Sequence, residues 1–221
     1  ELKKTANTQP AIVAHSLALF QKLKPLLDQK KISVSMVLGH SVGEYSALAA
    51  AGVMSFSDAL RAVHLRGKFM QDAAEGGTMY AILKESQELI EWATQEASQG
   101  DEIVSIANYN EPQQIVISGH RLACLRAIEL MESKNQKRVK AIELQVSAPF
   151  HSPLMKPAEE NLAKELHQMS FKNLNYPYVA NVDAQIYDLQ TSPEFIKNQL
   201  IKQVCSSVLW TQSLKHLTQH F

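Results

Sequence analysis

The segment Gly39-His40-Ser41-Val42-Gly43-Glu44 decides how this chain is interpreted. It follows an apolar run over residues 31–38, whose β-branched and aliphatic side chains predict a short buried strand. A helix is predicted directly after it, over residues 45–51, and Gly52 is suited to end that helix. A serine between two glycines, at the junction of a strand and a helix, is typical of a nucleophile elbow.

The chemistry of an elbow explains these residue types. A sharp strand-to-helix turn exposes the Ser41 hydroxyl and brings the residues two positions away on each side close together, so we expect both Gly39 and Gly43 to be required for space. The following helix directs its free N–H groups at charge that develops on a reacting oxygen. The Val42 N–H is therefore the predicted oxyanion donor.

A serine nucleophile needs a base, and histidine is the usual one. The chain has eight histidines: His15, His40, His64, His120, His151, His167, His216 and His220. We favour His151, because it lies in a loop between a predicted strand and a helix, whereas His40 is expected to be structural since neighbouring side chains at an elbow diverge.

A serine hydrolase would normally supply an acid between the serine and the histidine in chain order. The candidates are Asp101, Glu102, Glu111 and Glu143. None follows a strand of the part of the chain that carries Ser41, which weakens the interpretation as a plain esterase or thioesterase.

Composition excludes several other classes. The 221 residues contain 22 Lys plus Arg and 22 Asp plus Glu, so the chain lacks the basic excess of a nucleic-acid-binding protein. Cys124 and Cys205 have no metal-binding spacing, which argues against structural zinc and for a reducing compartment. No apolar run is long enough for a membrane-spanning helix. We expect no metal, no cofactor, no membrane contact and a cytoplasmic location, with an organelle matrix as the alternative.

Periodicity predicts an α/β fold with two subdomains. Residues 76–146 give the order β-α-β-β-α-β, which is typical of a ferredoxin-like module. Residues 1–75 and 147–221 would form a discontinuous, α/β-hydrolase-like large subdomain that carries the elbow, with the small subdomain inserted into it.

Several segments together resemble the malonyl-CoA:acyl-carrier-protein transacylases and the acyltransferase domains of fatty-acid and polyketide synthases. The matching segments are 39–45 (GHSVGEY), 65–71 (LRGKFMQ), 108–110 (NYN), 114–119 (QIVISG), 146–155 (VSAPFHSPLM), 181–183 (NVD) and 203–210 (QVCSSVLW). They occur in the order and with the spacing of that family, and they cover almost the whole chain.

The resemblance implies roles for individual residues. Ser41 would carry the acyl ester, and His151 would be the base, oriented by the main-chain carbonyl of Gln203 instead of by a carboxylate. Arg66 would bind the free carboxylate of malonate, for which a planar, permanently charged fork is well suited. Phe150 would narrow the pocket in favour of malonyl groups, and Asn110 would lie near the substrate. Glu44 is assigned no role beyond favouring a helix N-terminus.

The same resemblance implies the reaction and its partners. Malonyl-CoA would acylate Ser41, and the phosphopantetheine thiol of acyl carrier protein would then accept the malonyl group, in fatty acid biosynthesis, with the enzyme a monomer. The family also has a first strand with a Gly-Gln-Gly turn, which supplies a second oxyanion donor, and a final strand with Gly-Pro-Gly. This chain contains neither, so we expect a truncated enzyme that is weakly active or inactive, since one lost donor costs about 10²–10³ in rate.

Two other functions stay open at this stage. A hydrolase or thioesterase on the same elbow would need a carboxylate partner for His151 and would release free malonate. A binding module for carrier protein, with a decayed site, would bind without acylation of Ser41. The joint presence of Ser41, Arg66 and His151 argues against decay.

Overall fold

The computed structural model describes residue 2 and residues 4–73, 76–146 and 148–220. Its helices are α1 (Thr5–Gln29), α2 (Gly43–Ala50), α3 (Phe56–Asp72), α4 (Gln87–Ala97), α5 (Arg121–Asn135), α6 (Lys156–His167), α7 (Pro193–Lys202) and α8 (Trp210–His220). Its strands are β1 (Gly77–Leu83), β2 (Val104–Glu111), β3 (Gln114–His120), β4 (Lys140–Glu143), β5 (Tyr178–Val179) and β6 (Ile186–Tyr187). The architecture is mixed α/β, as predicted.

Serine side chains fix where three of the helices begin. Ser55, Ser86 and Ser192 precede α3, α4 and α7, and each side-chain oxygen accepts the backbone N–H three residues ahead. Such a bond satisfies one of the N–H groups that a helix start leaves unpaired. Two of these helices position the site, because α3 carries Arg66 and Gln203 is the C-cap of α7.

A four-stranded antiparallel sheet occupies the middle of the chain. Its strand order is β2-β3-β1-β4, and α4 and α5 provide the helices of the observed β-α-β-β-α-β sequence. Ile82, Ile90, Ile117 and Met131 are among the fully buried residues that join the sheet to these helices. This element order agrees with the predicted one.

A second apolar cluster joins the remaining helices. Val13 of α1, Leu48 of α2, Val63 of α3, Leu162 of α6 and Leu200 of α7 are buried in it. Contact with the central sheet is made by the segment before α8, because Val208 donates its N–H to the Ala107 carbonyl at 2.8 Å. The loop that carries Gln203 is thereby held against strand β2.

The predicted buried strand at residues 31–38 is wrong. Val37 alone forms a parallel bridge, to Tyr178 of β5, and Ile32 is 51% exposed. A regular strand needs a ladder of backbone hydrogen bonds, and β5 offers a partner only two residues long. The elbow is therefore approached by extended chain that is fixed at one bridge.

Other boundaries also differ from prediction. The strand predicted at 138–146 is limited to β4, and the one at 176–181 is limited to β5. The helix predicted from Ser152 to Met169 is divided into a 3₁₀ turn, Pro153–Met155, and α6, where Pro157 stands in the first turn because it has no N–H to donate. Helix α8 and strand β6 were not predicted.

The predicted division into two subdomains and the predicted lack of membrane contact stay predictions. The boundaries of the subdomains fall at Glu75 and Ser147, which lie outside the described residues. In the part of the chain that the structure describes, no helix has both the length and the apolar character needed to cross a membrane.

Candidate active site

Ser41 occupies the turn between the Val37 bridge and helix α2 with a backbone φ of +50°, in the left-handed region that non-glycine residues rarely adopt. A Cβ atom on Gly39 would lie 2.1 Å from the Gly43 carbonyl oxygen, so glycine is required there. The expectation that Gly43 is equally crowded is wrong, because a Cβ at Gly43 would meet no atom within 4 Å. The close approach of the two segments is therefore accommodated at Gly39 alone.

Asn181 holds this turn in place, a role that the sequence did not indicate. Its Oδ1 accepts the Ser41 N–H at 2.7 Å, and its Nδ2 donates to the Gly39 carbonyl at 2.8 Å. Because the Ser41 N–H is occupied, it is not free to stabilise an oxyanion, and the next N–H along the chain, that of Val42 at the N-cap of α2, stays the predicted oxyanion donor.

His151 lies next to Ser41 and is 96% buried, since its exposed fraction is 4%. Its Nε2 is 2.7 Å from Ser41 Oγ, and its Nδ1 is 2.9 Å from the carbonyl oxygen of Gln203. A carbonyl can only accept, so Nδ1 carries the proton and Nε2 has the lone pair that accepts the serine hydroxyl. This is the protonation state in which His151 can act as a base.

The charge state of His151 favours the same role. Burial, reinforced by the positive charge of Arg66, lowers the pKa of His151 to about 3. The imidazole is therefore neutral at physiological pH. Among the described residues, the ring nitrogens of His151 contact Ser41 and Gln203. Two of the acids that were considered as carboxylate partners of His151 form ion pairs elsewhere, Glu102 with Arg126 and Glu143 with Arg121.

Arg66 reaches the same point from α3 and is only 2% exposed. Its Nη2 donates to Ser41 Oγ at 3.1 Å and to Gln203 Oε1 at 3.0 Å, and its Nη1 donates to Gln9 Oε1 at 2.7 Å. Its Nε–H has no acceptor among the described residues. Although burial lowers the pKa of Arg66, a guanidinium remains charged in proteins, so a cation lies beside the nucleophile.

Glu44 and the side chain of Gln203 were not recognised from sequence as part of this site. The Glu44 side chain is buried, and it accepts from the Gln203 amide at 2.7 Å and from the Asn181 N–H at 3.2 Å. Burial raises the pKa of Glu44 to about 7, against the opposing effect of these hydrogen bonds. A charged residue directly after the elbow, on a helix rich in alanine, was the available signal.

Phe150 and Asn110 contact other groups than the Ser41 hydroxyl. Phe150 is half-buried and packs against both the helical cluster and the sheet face around Ala81 and Val116. The Asn110 Oδ1 is 2.8 Å from His40 Nε2, and the His40 ring meets Trp210 edge-on at 5.4 Å between centroids. The substrate-binding roles of Phe150 and Asn110 stay predictions.

The described part of the chain has no group of three or more His, Cys, Asp or Glu arranged to hold a metal ion. The site instead combines the hydroxyl of Ser41, the neutral base His151 and the buried cation Arg66, which contact one another at the Ser41 oxygen. Such a set can form an acyl ester on Ser41 and bind an acyl group that ends in a carboxylate.

Comparison with known proteins agrees with this chemistry. Residues 1–220 match the family described as Acyl transferase domain. The malonyl CoA-acyl carrier protein transacylase of Escherichia coli K12 is 42% identical over 219 residues, which are 98% of this chain and 68% of that protein. The enzyme of the same name from Bacillus subtilis is also 42% identical over 219 residues, and the chain covers 66% of its length.

Solved structures give the same result. An acyl carrier protein S-malonyltransferase from Vibrio cholerae superposes with a TM-score of 0.89 at 39% identity, covering 99% of this chain and 69% of that one. A malonyl-transacylase in complex with a type II PKS acyl-carrier protein gives a TM-score of 0.90 at 40% identity, covering 100% and 69%. The chain therefore belongs to the acyl transferase domain family, among the malonyl CoA-acyl carrier protein transacylases that its motifs resemble.

Proposed function

We propose that this chain transfers a malonyl group from malonyl-CoA to the phosphopantetheine thiol of acyl carrier protein, through a malonyl ester on Ser41. The observation that carries the proposal is the convergence of Ser41, His151 and Arg66 within hydrogen-bonding distance. The identity to malonyl CoA-acyl carrier protein transacylases supports the choice of substrates, and the complex of a relative with an acyl-carrier protein supports the partner.

In the first half-reaction, His151 Nε2 takes the proton of Ser41 as Oγ attacks the thioester carbon of malonyl-CoA. The oxygen of that carbonyl becomes an oxyanion and is stabilised by the Val42 N–H. When the intermediate collapses, the carbon–sulfur bond breaks and the imidazolium returns its proton to the coenzyme A sulfur. The Gln203 carbonyl holds the ring in the required tautomer and stabilises the transient imidazolium.

The second half-reaction repeats these steps with a different nucleophile. His151 takes the proton of the phosphopantetheine thiol, the sulfur attacks the malonyl ester, and Ser41 leaves with the proton returned by the imidazolium. Arg66 binds the carboxylate at the far end of the malonyl group in both steps, which keeps the ester carbonyl oriented for the thiol. Phe150 and Asn110 would line the passage for the acyl group.

The proposal also covers the subdomain organisation, the oligomeric state and the cellular location of the protein. Residues 1–75 with 147–221 would form the α/β-hydrolase-like large subdomain, and residues 76–146 the ferredoxin-like small one. The enzyme would act as a monomer in the cytoplasm. The strand order of the central sheet supports the ferredoxin-like assignment.

Acylation of the protein tests the proposal. After incubation with radiolabelled malonyl-CoA, the unmodified chain should carry one label per molecule, which mass spectrometry should locate on Ser41. The Ser41→Ala variant should carry none, because its side chain has no nucleophilic oxygen. Label retained by that variant would contradict the role of Ser41 and direct attention to Cys205.

The fate of the label separates transfer from hydrolysis. Addition of holo acyl carrier protein should move the label to the carrier faster than it appears as free malonate. Rapid malonate release without transfer would favour the hydrolase. The contact of His151 Nδ1 with a backbone carbonyl, instead of with a carboxylate, supports the transferase.

A further inference from the structure

A continuous set of hydrogen bonds joins the buried carboxylate of Glu44 to the guanidinium of Arg66. Glu44 Oε2 accepts from Gln203 Nε2 at 2.7 Å, and Gln203 Oε1 accepts from Arg66 Nη2 at 3.0 Å. The same Gln203 amide nitrogen donates to the Ser41 carbonyl at 2.8 Å. One side chain thus contacts the cation, the elbow and the buried acid.

The direction of these bonds is fixed by chemistry. Arginine can only donate, so the oxygen of the Gln203 amide must face Arg66, and the nitrogen must face the Ser41 carbonyl. Both oxygens of Glu44 face N–H donors, from Gln203 and Asn181. This arrangement matches a carboxylate without a proton, which has acceptors only and is the form that predominates above the pKa of about 7, so the acylation rates below are compared at a pH above that value.

The amide separates the two charges. Within the described residues, the acceptors of Arg66 are oxygens of Gln9, Ser41 and Gln203, and none of these is a carboxylate. A protein carboxylate paired directly with Arg66 would compete with a substrate carboxylate for the same N–H groups. A carboxylate placed behind an amide stabilises the buried cation without taking its Nε–H, which has no acceptor among the described residues.

We propose that the Glu44 carboxylate, acting through the side-chain amide of Gln203, positions the Arg66 guanidinium for the substrate carboxylate and thereby favours malonyl over neutral acyl groups. This inference rests on the proposed function. Glu44 and the Gln203 side chain are positioning residues, and they act on selectivity separately from the Gln203 backbone carbonyl that orients His151.

The test compares the rates at which malonyl-CoA and acetyl-CoA acylate Ser41. Gln203→Leu removes the amide but keeps the backbone carbonyl, and Glu44→Gln removes the charge but keeps one acceptor. Gln199→Leu is the matched control, since Gln199 is a buried glutamine one turn earlier on α7 that donates to Asp183 and Tyr187, away from the site. Thermal unfolding of each variant measures its packing defect separately.

We expect the malonyl-to-acetyl rate ratio to fall about tenfold in Gln203→Leu and about threefold or more in Glu44→Gln, because the buried cation loses its support. The ratio should not change in Gln199→Leu, even if its unfolding temperature falls. If Gln203→Leu fails to fold, Gln203→Met and Glu44→Gln serve the same comparison.

An unchanged ratio in Glu44→Gln overturns the inference, as does an equal fall in all three variants, which would indicate general packing. These outcomes differ from failure of the proposed function. If the unmodified chain is not acylated at Ser41 by malonyl-CoA, both the function and this inference are wrong. If it is acylated with a malonyl preference that neither variant alters, only this inference is wrong.

Discussion

Replacing Arg66 with alanine removes the one cation that contacts Ser41 Oγ in the described part of the chain. The guanidinium is 2% exposed, so its interaction with a substrate carboxylate would occur largely away from water. Acetyl-CoA has no carboxylate on its acyl group, and it therefore serves as the internal reference for all effects that are unrelated to charge recognition.

The magnitude follows from the bonds involved. A hydrogen bond to a charged group contributes about 1.5–3 kcal/mol, and a two-pronged pair about 3–5 kcal/mol, so loss of this pair should lower malonyl acylation by roughly 10²–10⁴-fold. Loss of the 3.1 Å contact to Ser41 Oγ affects both substrates, by up to about tenfold. This shared loss cancels in the malonyl-to-acetyl ratio, which should therefore fall by at least about a hundredfold.

The assay is the initial rate of acylation with each labelled thioester, measured before any carrier protein is added. Arg66→Lys is the companion variant, because it keeps the charge but loses the planar fork, and its ratio should lie between those of the unmodified chain and Arg66→Ala. Thermal unfolding checks that the alanine variant is folded. Equal losses for malonyl and acetyl in a folded Arg66→Ala protein would refute the assignment of Arg66 to the carboxylate.

Two further predictions concern the base and the elbow. Since the pKa of His151 is lowered to about 3, the base stays neutral as the pH falls, and the rate of acylation by acetyl-CoA should be nearly constant from pH 7.5 to pH 5. A histidine of ordinary pKa would lose about 97% of its neutral form at pH 5. A decline in the acylation rate with a midpoint near pH 6.5 would therefore contradict the lowered pKa. Gly39→Ala should lower the unfolding temperature and the acylation rate, because its Cβ would lie 2.1 Å from a backbone oxygen, whereas Gly43→Ala should unfold at an equal or higher temperature. Equal behaviour of the two glycine variants in calorimetry would show that the elbow is not constrained as described.

The elbow and the order of elements in the central sheet could be predicted because their signals are local. Glycine spacing around Ser41 and the runs of consecutive apolar residues in β1 and β3 are read from neighbours a few positions away. The predicted strand at 31–38 failed because a strand depends on its partners, and here only Val37 is paired. Helix α8 was missed although its polar and apolar residues alternate at helical spacing.

The functional residues show the same difference between local sequence signals and tertiary contacts. Ser41, His151 and Arg66 were chosen from motifs, and the fold brings them together across separations of 110 and 25 residues. Asn181 and Gln203 lie in the matching segments 181–183 and 203–210, but those motifs did not indicate what the two side chains contact, and Gln9 lies in no such segment. Their importance depends on which groups they meet.

The sequence by itself determined the residue types of the chemistry, namely an exposed serine at a glycine-flanked turn, a loop histidine and an arginine within an amphipathic helix. Only the tertiary structure decided the protonated nitrogen of His151, the hydrogen bond that occupies the Ser41 N–H, and the link from Glu44 to Arg66. The physical reason is that backbone turns are encoded by adjacent residues, whereas hydrogen-bond partners and charge states depend on burial and on atoms from distant segments.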